Sequence, residues 1–255
     1  MKIAKVEEVI NTTYLKPGSV VYSAGNAATP QVILEQLAKD KAIRDIDLYG
    51  VLPLGERIRG LFGEERCQTI THRVIFNSRL TTQAVNKGWA KYHPMHLREI
   101  PKRLIESIKP NVVFVSVAGP DNGGYYSLGT TVEGVLAAIR SVQRQGGLVI
   151  AERNARMPFV MGTTLPESAI DFLIDSDYEL PHSPVRQPDE RARRIGEIIA
   201  AMYIHDGSGS TPGTTLQYGI GEVPEAVTDA IIRRGYRDLG IHTEMVGDGI
   251  MTLVE

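Results

Sequence analysis

The stretch "LGIHTEMVGDG", residues 239–249, carries His242 and Glu244 among apolar neighbours. Its composition reads as a strand running into a Gly-Asp-Gly turn, and alternate residues of a strand share a face. Ile241, Thr243 and Met245 then point one way, and His242, Glu244 and Val246 the other. A carboxylate on a strand that reads as buried can act as a nucleophile. It is ionised at neutral pH (reference pKa about 4.3) and needs no general base. It can attack a thioester carbonyl where nearby donors hold the developing oxyanion. The competing reading is an ordinary strand carboxylate facing water beside a surface histidine.

Donors are offered just upstream, in "YGIGEVPEAV", residues 218–227. A strand runs into Gly219-Ile220-Gly221, and a helix starts near Pro224. Glycine lets a backbone approach a ligand closely, and the first helical turn presents unpaired N–H groups. A plain βα turn needing glycine dihedrals fits the same residues. So does a dinucleotide fold, with Glu244 about 20 residues beyond as the ribose acid, although Pro224 stands where its third glycine belongs. Two further loops are site candidates because they follow strands at the carboxyl edge of an α/β sheet: "SAGNAATP" (23–30) and "AGPDNGGYYSLG" (118–129). In the second, Asp121, Asn122, Gly123 and Gly124 can equally make a tight turn.

Other reactive types give less. His93 and His96 flank Pro94, which disfavours a helix interior, and no third metal ligand accompanies them. No metal site is therefore expected. His72, His182 and His205 are scattered. Cys67 reads as a small buried apolar group, and there is no Gly-x-Ser-x-Gly elbow.

These residues sit on elements that alternate between β-branched runs and helical patterns, the mark of βαβ units and a mostly parallel sheet. "GSVVYSAG", "DIDLYGVLP", "NVVFVSVAG" and "LVIAER" are strands, and "RCQTITHRVIF" has strand composition suited to an edge. "TPQVILEQLAKD" opens a helix with Thr29 as N-cap and Pro30 at the first position. "TTVEGVLAAIRSVQRQGG" and "DERARRIGEIIAAMYI" are helices. The expected fold is α/β, an open mostly parallel sheet with helices on both faces over residues 1–205. A Gly/Ser/Thr linker at 206–215 and the opening βαβ of a second, similar domain at 216–255 follow. A unit of roughly 40 residues is too small to bury its own core.

Composition limits the partners. With 255 residues, 42% hydrophobic, 23% charged and a net charge of −2, the chain shows no basic cluster for nucleic acid. It has no apolar run of about 18 residues for a membrane span. One cysteine excludes an internal disulfide, and a cytoplasmic protein is expected.

Taken together, "YHPMHLREIPKRL", "VSVAGPDNGGYYSLG", "NARMPFVMG", "LQYGIGEVPEAV" and "LGIHTEMVGDGIMTLVE" make the chain resemble the acetyl-CoA hydrolase/transferase family of class I CoA-transferases. The likeness is greatest to the 4-hydroxybutyrate and butyrate:acetate branch. The resemblance implies that Glu244 is the nucleophile, forming an acyl-glutamyl anhydride and then a glutamyl-CoA thioester. It implies CoA contacts at Gly219, Ile220, Gly221, Glu222 and Val223. Strand periodicity, by putting His242 on the face of Glu244, makes His242 a candidate to orient Glu244 or a substrate carboxylate. The resemblance further implies acyl-CoA and short carboxylates as ligands, coenzyme A thioester as substrate with no tightly bound cofactor, and a homo-oligomer, a dimer. Family chains have two similar α/β domains and run beyond the glutamate, so this chain is expected to hold the first domain and the start of a truncated second. Acyl-CoA hydrolysis and a non-catalytic nucleotide- or partner-binding role are the alternatives.

Overall fold

A computed structural model describes residues 1–182, 187–209 and 212–254. The chain forms two compact units, Met1–His182 and Ser183–Glu255.

The first unit is built on ten strands: β1 (Lys2–Ile3), β2 (Val20–Ser23), β3 (Ile46–Val51), β4 (Ile70–Phe76), β5 (Lys91–Tyr92), β6 (Val112–Val117), β7 (Tyr125–Ser127), β8 (Leu148–Asn154), β9 (Thr164–Pro166) and β10 (Phe172–Ser176). Eight of them make one sheet in the order β1-β10-β8-β6-β2-β3-β4-β5, and every pairing in it is parallel. β7 and β9 pair separately and antiparallel. β4, expected at an edge, lies one place inside it, because the two-residue β5 covers its outer side. The helices of this unit are α1 (Val6–Val9), α2 (Gln31–Lys39), α3 (Glu64–Cys67), α4 (Thr82–Asn86), α5 (Ile100–Arg103) and α6 (Val135–Arg144).

β6 is buried at every position, as a central parallel strand covered on both faces must be. Its alternation splits the core. Val113 and Val115 join Tyr22, Val149 and Ala151 under Ile139 and Val142 of α6. Val112 and Phe114 join Val21, Leu48 and Ile150 under Ile33, Leu34 and Leu37 of α2. Fully burying each such aliphatic side chain contributes about 1.5–3 kcal/mol.

The ends of α2 correct the expected cap. Thr29 does not cap it. The Thr29 hydroxyl donates to the Asn26 carbonyl (2.7 Å) and accepts the Leu54 amide (3.1 Å). The amides of Val32 and Ile33 donate instead to the Glu152 carboxylate from β8, at 3.0 and 3.1 Å, and the Ser176 hydroxyl of β10 donates to its other oxygen at 3.1 Å. An acid contributed by tertiary structure satisfies the orphan N–H groups that a local cap normally takes. At the opposite end the fully buried guanidinium of Arg66 donates to the carbonyls of Leu37, Asp40 and Ile43. Negative charge at the N-terminus and positive at the C-terminus both favour the helix dipole.

The second unit holds α7 (Glu190–Tyr203), β11 (Thr215–Leu216), α8 (Glu222–Arg234), β12 (Gly240–Ile241) and α9 (Asp248–Val254). β11 and β12 pair parallel across α8, the βαβ expected there. α7, which composition assigned to the first domain, packs on α8. Ala200, Ala230 and Ile231 form the apolar centre of this contact. A Cβ on Gly196 would lie 2.6 Å from the Ala226 backbone, so glycine permits the close crossing. Within the expected linker, Gly207 donates to the Arg237 carbonyl (2.8 Å) and Thr214 to that of His205 (3.1 Å). Asp206 accepts the Arg237 amide at 2.6 Å. Ser210 and Thr211 of that run lie outside the described residues.

Two outcomes follow from the buried polar groups of the first unit. Glu152→Ala leaves two helix amides without partners and should lower unfolding free energy by about 2–3 kcal/mol in urea titration. His72 on β4 is fully buried against Phe62, ring centroids 4.9 Å apart, and neither ring nitrogen has a hydrogen-bond partner. Burial, helped by the Arg66 charge, lowers its pKa to about 3 from 6.5. The unfolded chain therefore binds one more proton than the folded chain between those values. This contribution to stability is complete above pH 6.5 and is lost, at about 1.4 kcal/mol per unit, as pH falls below it. Urea midpoints measured from pH 7.5 to 5 should fall more steeply for the wild type than for His72→Leu; parallel curves would show that His72 does not stay neutral in the fold.

Candidate active site

β2 lies between β3 and β6 in the sheet. From it the chain winds outward through β3, β4 and β5, then returns to build β6, β8 and β10 on the other side. The carboxyl ends of β2 and β6 therefore flank a topological switch point, where an open α/β sheet has its ligand crevice. Both loops singled out from the sequence lie at this edge.

The loop after β2 is tied down on each side. Ala24 donates to the Phe114 carbonyl and Asn26 to that of Leu52, both at 2.9 Å. A Cβ on Gly25 would fall 1.6 Å from the Val51 carbonyl oxygen, so no other residue fits there. The loop after β6 makes the tight turn that was its plain reading. One Asp121 carboxylate oxygen accepts the amides of Gly123 (2.9 Å) and Tyr125 (2.8 Å). Ser127 binds this loop to the "MPFVMG" segment, donating to the Val160 carbonyl (2.8 Å) and accepting its amide (2.9 Å). Ala28, Ala118 and Met157, with Leu180, form a small apolar cluster where four carboxyl-edge loops meet.

A carboxyl that the sequence reading missed also stands at this edge. The Tyr22 hydroxyl donates to Glu133 at 3.3 Å. Burial raises the Glu133 pKa to about 8, against the opposing pull of its hydrogen bonds from Tyr22 and the Gly25 amide. Glu133 precedes α6, where the reading had a continuous helix from Thr130. Its left-handed backbone, φ 40°, keeps it outside. Glu152 was missed too, although an acid within "LVIAER" is the same signal that drew attention to Glu244.

The second unit holds the residues named as nucleophile and CoA contacts. Gly221 is the N-cap of α8 at φ 123°, and no side chain caps the helix. Glu222 and Val223 begin its first turn, so their amides remain free of helical partners. Gly219 has room for a side chain, since a Cβ would come no nearer than 4.0 Å to Pro224. Ile220 is 72% exposed. The strand expected to carry Glu244 stops at Ile241. The alternation persists beyond it as exposure: His242, Glu244 and Val246 are open to solvent, while Thr243 and Met245 are half-buried. Glu244 is therefore not on a buried strand. The ladder is only two residues long, ending after the His242 amide donates to the Leu216 carbonyl at 2.9 Å. No hydrogen bond joins His242 to Glu244 among the described residues.

A hydroxyl links the two motifs where the ladder ends. Thr243 Oγ1 accepts the Tyr218 amide at 2.9 Å and lies 3.1 Å from the Tyr218 carbonyl and 2.9 Å from that of Met245. Tyr218 directly precedes the Gly219-Ile220-Gly221 turn, and Thr243 directly precedes Glu244. The clamp thus fastens the base of the glycine turn to the base of the carboxylate. The Gly-Asp-Gly turn has its own reason: a Cβ on Gly247 or Gly249 would come within 2.9 or 2.8 Å of the Glu225 carboxylate on α8. Replacing Thr243 by Val removes the clamp at nearly constant shape. The Tyr218 amide should then exchange with deuterium about five- to tenfold faster, as expected for the loss of about 1 kcal/mol locally.

Comparison with known proteins identifies the family of this fold. Residues 1–182 match the family described as acetyl-CoA hydrolase/transferase N-terminal domain. The 4-hydroxybutyrate coenzyme A transferase of Clostridium kluyveri is 34% identical, covering 100% of this chain and 56% of that protein. The succinyl-CoA:acetate/propanoyl-CoA:succinate CoA transferase of Fasciola hepatica is 29% identical over 95% of this chain and 48% of its own length. The chain thus spans about half the length of the curated relatives it matches. Among solved structures, RipA from Yersinia pestis superposes with a TM-score of 0.86 at 25% identity, covering 99% of this chain and 58% of that one. A 4-hydroxybutyrate CoA-transferase from Porphyromonas gingivalis gives 0.79 at 26% identity, over 99% of this chain and 56% of that one. From the sheet, the carboxyl-edge loops and the match over residues 1–182, the chain belongs to the acetyl-CoA hydrolase/transferase family.

Proposed function

We propose that this chain takes part in moving CoA between a short-chain acyl-CoA and a carboxylate such as acetate, with Glu244 as the nucleophile. The observation that carries this reading is the Thr243 clamp. It sets a solvent-open carboxylate beside a glycine turn that ends in an uncapped helix N-terminus. The CoA-transferase names of the relatives supply the reaction class.

In this reading a Glu244 carboxylate oxygen attacks the thioester carbonyl, and the amides around Gly219, Ile220, Gly221, Glu222 and Val223 hold CoA and the developing charge. The C–S bond breaks, giving an acyl-glutamyl anhydride and CoA thiolate. The thiolate attacks the glutamyl carbonyl and expels the first carboxylate, leaving glutamyl-CoA. An acceptor carboxylate then reverses both steps and departs as the new acyl-CoA. Every step is an exchange at a carbonyl carbon, so CoA thioesters and short carboxylates are the only reactants and no tightly bound cofactor takes part. The working protein is a cytoplasmic homo-oligomer, a dimer. Water in place of the acceptor would make the same intermediate a hydrolase, which CoA release without added carboxylate detects.

Intact mass of the purified protein after incubation with acyl-CoA should show a CoA-sized adduct, and borohydride should remove it by reducing the glutamyl thioester to an alcohol with release of CoA thiol. Glu244→Ala should show none and lose about 10³-fold or more in rate. Active wild-type protein without an adduct would overturn the covalent route.

A further inference from the structure

A small cleft lies in the first unit between α2 and the strands β2, β3 and β4, and no step of the proposed reaction uses it. The strand register pairs Leu48 with His72, Gly50 with Val74, and Ser23 with Gly50. Leu48 and Val74 belong to the core under α2. By strand alternation Ser23, Gly50 and His72 face the same way. Leu34 of α2 covers them, together with Leu61 and Phe62 from the 3-10 turn Glu56–Phe62. The cleft exists because residue 50 is glycine: a Cβ there would meet nothing within 4 Å. Its volume is about 20 Å³, room for one water molecule and little more.

His72 is the group that this lining leaves unmatched. It is fully buried, and neither Nδ1 nor Nε2 reaches a protein partner. A neutral imidazole carries one N–H donor and one acceptor nitrogen, and burying such a group is costly unless it is paired. The Leu61 carbonyl is near enough to favour the protonated ring, yet it closes no hydrogen bond with it. Ser23 is buried too. Its hydroxyl donates to the Ala24 carbonyl at 3.0 Å, which leaves the oxygen able to accept. Tyr49 and Arg73 also border the cleft but belong to the opposite face, where Arg73 pairs with Asp47 at 3.0 Å and lies over the Tyr49 ring. Hydrophobic side chains make up the rest of the wall. A ligand here must therefore be water-sized, and it must both give and take a hydrogen bond.

We propose that the cleft beside Gly50 is an internal hydration site, in which one water molecule hydrogen-bonds to His72. The water supplies the partner that the surrounding side chains withhold, so the ring stays neutral and buried without an unpaired nitrogen. Ser23, at the carboxyl end of β2, is the second group able to bind it.

Crystals of the wild-type protein should show an ordered water about 2.7–3.2 Å from a His72 ring nitrogen. Gly50→Ala places a methyl group in the same space and should lose that water while the ring keeps its position. His72→Leu should lose it as well, because an apolar lining stays dry. In solution, ¹⁷O relaxation dispersion, which detects long-lived internal waters, should report one fewer in Gly50→Ala than in the wild type. A wild-type map without water at His72 overturns the site. So does uptake of xenon into the wild-type cleft under pressure, the behaviour of a dry apolar cavity, or an equal water count in wild type and Gly50→Ala. Should His72→Leu fail to fold, wild type against Gly50→Ala still decides.

Discussion

The carboxyl edge of the sheet is organised around the buried carboxylate of Glu152. It stands on β8 at 0% exposure and accepts the first amides of α2 and the Ser176 hydroxyl of β10. Burial raises its pKa, and the hydrogen bonds from Tyr178, Ile33, Ser176 and Val32 oppose that rise. A buried acid without those donors would be costly; with them it becomes a rigid link. α2 follows β2, whereas β8 and β10 lie on the far side of β6. The link therefore crosses the switch point and fixes the entry of α2, and with it the loop that ends at Pro30.

Arg66 completes the arrangement at the other end of the same helix. Its guanidinium is wholly buried, and burial lowers its pKa. Carbonyls rather than carboxylates receive its protons. Helix α2 thus lies between a carboxyl group from β8 and a guanidinium from α3, each satisfying backbone groups that the helix leaves open. Neutral His72, next to Arg66, follows the same logic, since a second buried cation there has nothing to pair with.

The two units handle carboxylates in opposite ways. In the first, Glu133 is half-buried beside Tyr22, and burial raises its pKa to about 8. In the second, Glu244 stands open to solvent. Burial alone separates the two behaviours, although the residue type is the same.

Much of this was legible in the chain. The apolar run of β6, the alternation of short strands with amphipathic helices, and the glycine turn before α8 follow from local periodicity and backbone preference, so residue order by itself determined the parallel α/β class and the βαβ that carries Glu244. The quoted motifs were also enough to indicate the family. Tertiary structure alone decided which acids are buried, because burial depends on elements far apart in sequence. Glu152 and Glu133 meet their partners across more than a hundred residues, and neither contact leaves a local pattern. It also decided that α7 packs with α8, since Gly196 shows its purpose only where Ala226 approaches. It ended the strand at Ile241 and left Glu244 exposed, because a two-residue ladder cannot cover the segment beyond it.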